Sequence, residues 1–340
     1  MYRKIMGFLE AWKESKHRKP LILQGARQVG KTYSILEFGR THYENVAYFN
    51  FETNPKLNET FEENISPDYL IPILSHIAGQ TIVKEKTLMV FDEVQLCERA
   101  LTSLKYFCEN APDYHIIVAG SLLGVAVNRA KFSFPVGKVD MKTLYPMDME
   151  EFMLALGEDD LVKQIKKCFQ TDTPLPSALH DAAMQLYRQY LVVGGMPECV
   201  MQFAGTKDYI LVRHTQDTIL ASYLNDMSKY NNLNEIKKTR LAYDNITVQL
   251  SKKNTRFQYK LIKKGGRASE FENAIEWLCL SGIVSQVYKV EQIKKPLENY
   301  RDIDAFKIYV SDLGLLCAKK DLAANDILYM VEEINDFKGG

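Results

Sequence analysis

The segment Gly25-Ala26-Arg27-Gln28-Val29-Gly30-Lys31-Thr32 satisfies G-x-x-x-x-G-K-[ST]. Glycines at that spacing let a loop turn its backbone N–H groups inward around an anion. The lysine ammonium reaches terminal phosphate oxygens, and the threonine hydroxyl is a hard ligand suited to Mg²⁺. Tyr33 follows directly. Further along, the run "LMVFDE" closes on Asp92 and Glu93. A carboxylate at the carboxyl end of a buried strand can hold Mg²⁺ through water, and its neighbour can polarise an attacking water. The expected nucleotide contacts are therefore Gly25 to Tyr33 together with Asp92. Thr32 and Asp92 are the expected Mg²⁺ ligands, and Lys31 and Glu93 the expected catalytic groups. An adjacent Asp-Glu pair favours hydrolysis over phosphotransfer to a small molecule. Ser121, after "HIIVAG", stands where a polar residue would sense the terminal phosphate, although a serine there also reads as a turn residue. Asn50 and Glu52 end the second strand, where either could face the phosphates, although a plain turn is the better reading.

These groups need a scaffold. An amphipathic helix is expected near the start, with Ile5, Phe8, Leu9 and Trp12 on one stripe. Strand-length apolar runs follow at 19–24, 45–52, 87–93, 115–121 and 138–146. The loop should open a helix from Lys31 to Phe38, with Gly39 as its stop. Strands alternating with helical segments specify an α/β fold, a parallel sheet with helices on both faces. From Met147 to about Tyr230 the pattern is helical, broken at "VVGGMPE". Past residue 234, helical segments are followed by the strand-length runs "IVSQVYKV" and "FKIYVSD", which fits a winged-helix module.

The bulk numbers exclude several classes. The chain has 340 residues, which calls for more than one domain, and 43 basic residues balance 43 acidic ones. Any nucleic-acid contact must then come from a local patch. Six scattered cysteines without a Cys-x-x-Cys pair argue against a zinc site or a disulfide framework. No signal peptide and no apolar run of roughly 20 residues is present. A cytoplasmic protein with no membrane partner is the expectation.

With these motifs in register, the chain resembles the AAA+ ATPases, widespread in bacteria and archaea, that carry a C-terminal domain of unknown function. "LILQGARQVGKT", "FDEVQ" and "IIVAGS" are general P-loop features. "YPMDMEEF", "YLVVGGMPECV" and "FKIYVSDLGLL", in that order, single out the family. The resemblance implies a core with strand order 5-1-4-3-2, a helical lid, a winged-helix segment, and a nuclease-like region beyond it. It implies ATP and Mg²⁺ as cofactors and suggests homo-oligomers. The boundaries that follow are 1–147 for the core, 148–232 for the lid, 233–312 for the winged helix, and 313–340 for the start of the last region. The chain ends at "NDFKGG", about where that region should begin. The family's Gly-Arg before the fifth strand is Gly137-Lys138 here; lysine keeps the charge but loses the planar fork of an arginine finger. Arg129 is the alternative finger.

Other positions stay open between two readings. Gly195 and Pro197 either let backbone approach the adenine or form a helix-to-helix turn. Arg213 and Asp217, at i and i+4, suit an internal salt bridge or a nucleotide sensor. Between Gln249 and Arg267 lie Lys252, Lys253, Arg256, Lys260, Lys263, Lys264 and Arg267 with no acid, and Phe257 and Tyr259 among them. In a winged helix this stretch would span a helix end, a strand and the approach to the recognition helix, and could meet a DNA backbone. It equally suits a solvated surface balanced by Glu270, Glu272 and Glu276. The leading expectation is an ATP-hydrolysing conformational switch, with ATP and ADP as ligands. The alternative is a nucleotide-gated DNA- or protein-binding module with negligible turnover.

Overall fold

Two strands buried along their whole length, β3 (Thr87–Asp92) and β4 (His115–Ala119), form the middle of a five-stranded sheet. Continuous burial is what a parallel strand covered by helices on both faces requires. The computed structural model describes residues 1–120, 134–229, 232–252 and 256–329. Ser121, Arg129 and Lys253 lie outside them. The chain divides into two compact units, Arg3–Tyr145 and Pro146–Gly340, the latter with Met1–Tyr2.

In the first unit, α1 (Ile5–Glu14) buries Ile5, Leu9 and Trp12. β1 (Leu21–Gln24) leads to α2 (Lys31–His42) and β2 (Asn45–Asn50). Next come α3 (Lys56–Glu63) and α4 (Pro67–Ala78), then β3, α5 (Glu98–Asn110), β4 and β5 (Asp140–Thr143). The strands pair in parallel in the order β2-β3-β4-β1-β5, the expected 5-1-4-3-2 read from the other edge. Phe49, Phe51, Phe61 and Phe91 pack edge to face or tilted, with centroids 5.6–5.9 Å apart, in the core over one face. In register, Asn50 stands opposite Asp92 and Tyr48 opposite Val90. Because side chains alternate between faces, Tyr48, Asn50 and Asp92 share one face at the carboxyl end of the sheet.

Two boundaries differ from the sequence expectation for physical reasons. Gly39 does not stop α2, which continues to His42. A Cβ at Gly39 would press into the side chains of Val46 and Leu88, so this glycine serves close packing of helix on sheet. The edge strand β5 is shorter than its apolar-polar alternation suggested, because only Asp140–Thr143 find partners on β1.

The second unit is mostly helical: α6 (Met149–Ala155), α7 (Asp159–Gln170), α8 (Ser177–Val193), α9 (Pro197–Thr206), α10 (Tyr209–Lys229), α11 (Leu233–Leu250), α12 (Tyr259–Ile262) and α13 (Ala268–Leu280). An antiparallel hairpin of β6 (Val284–Val290) and β7 (Arg301–Val310) follows, then α14 (Leu313–Lys319) and α15 (Ala324–Leu328). No helix among the described residues is long and apolar enough to cross a membrane. Among the described residues of 249–267 the short α12 stands where a strand was expected, and the bonds from Phe257 N to Phe306 O and from Arg256 to Asp304 O tie the segment to the hairpin.

Three of the segments that carry the resemblance interlock here. Buried Asp312 accepts the Gly195 N–H at 2.6 Å on Oδ2 and the Leu315 N–H at 2.8 Å on Oδ1, capping α14. A Cβ at Gly195 would overlap the Met147 carbonyl, and one at Gly314 would overlap the Val193 carbonyl. Met147 N donates to Gly195 O at 2.7 Å, and the Tyr190 hydroxyl donates to Met147 O at 2.8 Å. Cys317 and Ile327, within residues 313–328, pack with Leu191 and Val192 of α8.

Candidate functional site

The loop from Gly25 to Gly30 leaves β1 and enters α2. Gly25 has φ +148°, and a Cβ there would overlap the Leu144 carbonyl. Gly30 has φ +88° at the N-cap of α2, so both glycines are demanded by backbone geometry. Gln28 also sits at positive φ, 66°. Ala26 and Val29 are buried, which anchors the loop from beneath. The buried Arg3 braces it, donating to Val29 O at 2.9 Å and to Tyr145 O at 2.8 Å. The Lys31 ammonium folds back onto the loop, donating to Gly25 O at 2.9 Å and Ala26 O at 2.8 Å. Arg27 and Tyr33 flank these groups, with the Tyr33 ring exposed.

Across the sheet end, the Thr32 hydroxyl donates to Asp92 Oδ2 at 2.9 Å. Asp92 is buried, and its Oδ1 accepts the Glu93 N–H at 3.0 Å. Thr32 and Asp92, each expected from sequence as a Mg²⁺ ligand, thus lie within hydrogen-bond distance of one another. A hydroxyl and a carboxylate, both hard oxygen donors, suit Mg²⁺, which keeps several waters and takes few protein ligands. Among the described residues no cluster of three or more His, Cys, Asp or Glu side chains forms a dedicated cage for another metal.

Glu93 follows β3 in the left-handed region, φ 52° and ψ 37°, a conformation that costs about 1 kcal/mol or more for a residue with a Cβ. Burial raises its pKa above the usual carboxylate range, and the charge of Asp92 adds to that. The hydrogen bond from Gln95 and the Lys31 charge oppose it. The Gln95 Nε2 donates to Glu93 Oε2, while Gln95 Oε1 is buried without a partner.

Sequence reasoning missed three residues here. Tyr48 donates to Asp92 Oδ2 at 2.7 Å, and its phenol, largely through burial, is pushed up to about 12. Arg3 and Gln95 are the others. The only signal for Tyr48 was the alternation that buries Ala47 and Phe49 and turns Tyr48 and Asn50 to the other face. Asn50 and Glu52 form the turn expected of them: Asn50 Oδ1 accepts the N–H groups of Glu52 and Thr53 at 2.9 and 3.0 Å.

Other candidates are accounted for elsewhere. Lys138 pairs with Glu109 at 2.9 Å. The Gly195 N–H is held by Asp312, and Pro197 opens α9 at its first position. The Arg213–Asp217 pair is not formed, because Arg213 reaches the end of α14, donating to Ala318 O and Leu322 O with Asp321 at 3.8 Å.

Lys263 pairs with Glu270 at 3.2 Å, and Arg256 donates to Asp304 O at 3.0 Å. Lys252, Lys260, Lys264 and Arg267 are exposed. Phe257 and Tyr259 do not interleave with these cations on the surface. They pack with Phe306, the Phe257 ring stacked on it at 5.3 Å, because the hairpin needs an apolar floor.

Two family models match the chain, an AAA domain over residues 17–153 and a domain of unknown function, DUF8612, over residues 184–326. Residues 17–153 belong to the AAA domain family. No curated protein matches. Among solved structures, the Walker-type ATPase PABY2304 of Pyrococcus abyssi is similar at 13% identity, over 94% of this chain and 95% of that one, with a TM-score of 0.58. The ORC2 protein of Aeropyrum pernix is similar at 13% identity, over 98% and 94%, with a TM-score of 0.45. The first likeness extends the shared fold beyond the AAA domain. The chain is thus an ATP-binding AAA+ protein whose P-loop core is joined to a C-terminal domain of unknown function.

Proposed function

We propose that this AAA+ protein hydrolyses ATP to ADP and phosphate and uses the cycle as a conformational switch. The observation that carries the reading is the convergence of Lys31, Thr32, Asp92 and Glu93 at one end of the sheet. When bound, ATP with Mg²⁺ supplies an electrophilic terminal phosphorus. The N–H groups of the loop from Gly25 to Gly30 surround the phosphates, and Lys31 exchanges the carbonyls of Gly25 and Ala26 for phosphate oxygens. Thr32 and Asp92 would hold the cation. Glu93, made more basic by burial, takes the proton of the attacking water. Phosphate release from ATP by the purified protein tests this. Turnover that rises with protein concentration supports action as an oligomer, and absence of turnover under all conditions contradicts the reading.

A second reading is that residues 148–232 act as a lid and 233–312 as a winged-helix-like module that docks DNA or protein under nucleotide control. A groove of about 370 Å³ on the hairpin favours it, lined by Arg256, Lys289 and Lys307 beside Val287 and Tyr309. Binding of labelled DNA with ADP and with ATP separates this gated docking from simple turnover.

A further inference from the structure

We propose that Tyr48 is a positioning residue that aims the Asp92 carboxylate at the bound cation, an inference that rests on the nucleotide reading above. A carboxylate free to rotate presents no fixed lone pair, and here each oxygen is fixed. Oδ1 takes the Glu93 N–H at 3.0 Å, while Oδ2 takes both the Thr32 hydroxyl at 2.9 Å and the Tyr48 hydroxyl at 2.7 Å. Tyr48 is fixed in turn. Its oxygen accepts from Asn50 Nδ2 at 3.2 Å, and Asn50 is held by the N–H groups of Glu52 and Thr53. A relay therefore runs from the turn after β2 through Asn50 and Tyr48 to Asp92, along residues that share one face of the sheet.

The ring has little part in the core, since Tyr48 is 39% exposed between the buried Ala47 and Phe49. What Tyr48 supplies is its hydroxyl. Groups that orient a metal ligand in this way change metal affinity by about 10–100-fold when removed.

The test is calorimetric titration of ADP into the wild type and Tyr48→Phe, with Mg²⁺ and with EDTA. The expected result is unchanged ADP affinity in EDTA, with the Mg²⁺-dependent gain in affinity reduced about tenfold in the variant. In an Asp92→Ala background, Tyr48→Phe should add nothing, because its partner is gone. An equal Mg²⁺ gain in wild type and variant overturns the proposal. So does an equal loss in both media, which marks a general structural role, or an additive loss in the Asp92→Ala background. If the wild type binds no ADP in either medium, the nucleotide reading itself falls. If it binds ADP without any Mg²⁺ gain, that reading survives and the metal-positioning role does not.

Discussion

The Thr32 hydroxyl lies 2.9 Å from Asp92 Oδ2, although 60 residues of chain separate them. The link joins the first turn of α2 to the end of β3, which are brought together by the β2-β3-β4-β1-β5 order of the sheet. Lys31 sits one residue before Thr32 and Glu93 one residue after Asp92, so this single contact sets the phosphate-facing and water-facing groups side by side.

Replacing Lys31 by alanine removes an ammonium that already has two hydrogen bonds in the loop. Charged hydrogen bonds are worth about 1.5–3 kcal/mol each, so ATP and ADP affinity should fall by at least about tenfold. Calorimetry on Lys31→Ala checks this, with circular dichroism to confirm that α2 still forms.

Asp312 gives the second unit a pH signature. Burial raises its carboxyl to about 6, against the lowering effect of backbone N–H groups led by Leu315 and Gly195. Its folded pKa thus exceeds the ordinary aspartate value, so its contribution to stability is greatest below about pH 4 and is lost as pH rises through about 6. Asp312→Asn removes the titration and turns an NH₂ toward backbone donors. The variant should be less stable by about 2–3 kcal/mol at neutral pH, and the gap should widen as pH falls from 7 to 4. Denaturant melts of both proteins across that range measure it.

Two glycines in one helical region should respond in opposite directions. Gly195→Ala places a Cβ into the Met147 carbonyl and should cost about 3 kcal/mol or more. Gly205, inside α9, faces open space, and Gly205→Ala should stabilise by about 0.5–1 kcal/mol. Thermal melts of the two variants side by side decide whether the Gly194-Gly195 break is a packing device.

The legible parts of the fold and site were those written in local sequence. The phosphate loop, the apolar run ending in Asp92-Glu93 and the alternation of strands with helices each depend on neighbours a few residues apart, and the sheet order came from resemblance. Gly39 was misread because a glycine that stops a helix and one that lets it approach a sheet are the same letter. Tyr48, Arg3 and Gln95 left almost no trace, since their roles come from partners that only the folded sheet brings near. The packing of Phe257 and Tyr259 was illegible for the same reason: their partner Phe306 lies far along the chain.

In the proposed mechanism Glu93 activates water for ATP hydrolysis while Lys31, Thr32 and Asp92 hold the nucleotide. Glu93→Gln keeps the size of the side chain and removes the base. Measured together, ATP binding should stay within a few-fold of the wild type and phosphate release should fall by about 10²–10⁴-fold. Unchanged phosphate release in Glu93→Gln, with ATP still bound, would show that Glu93 is not the base.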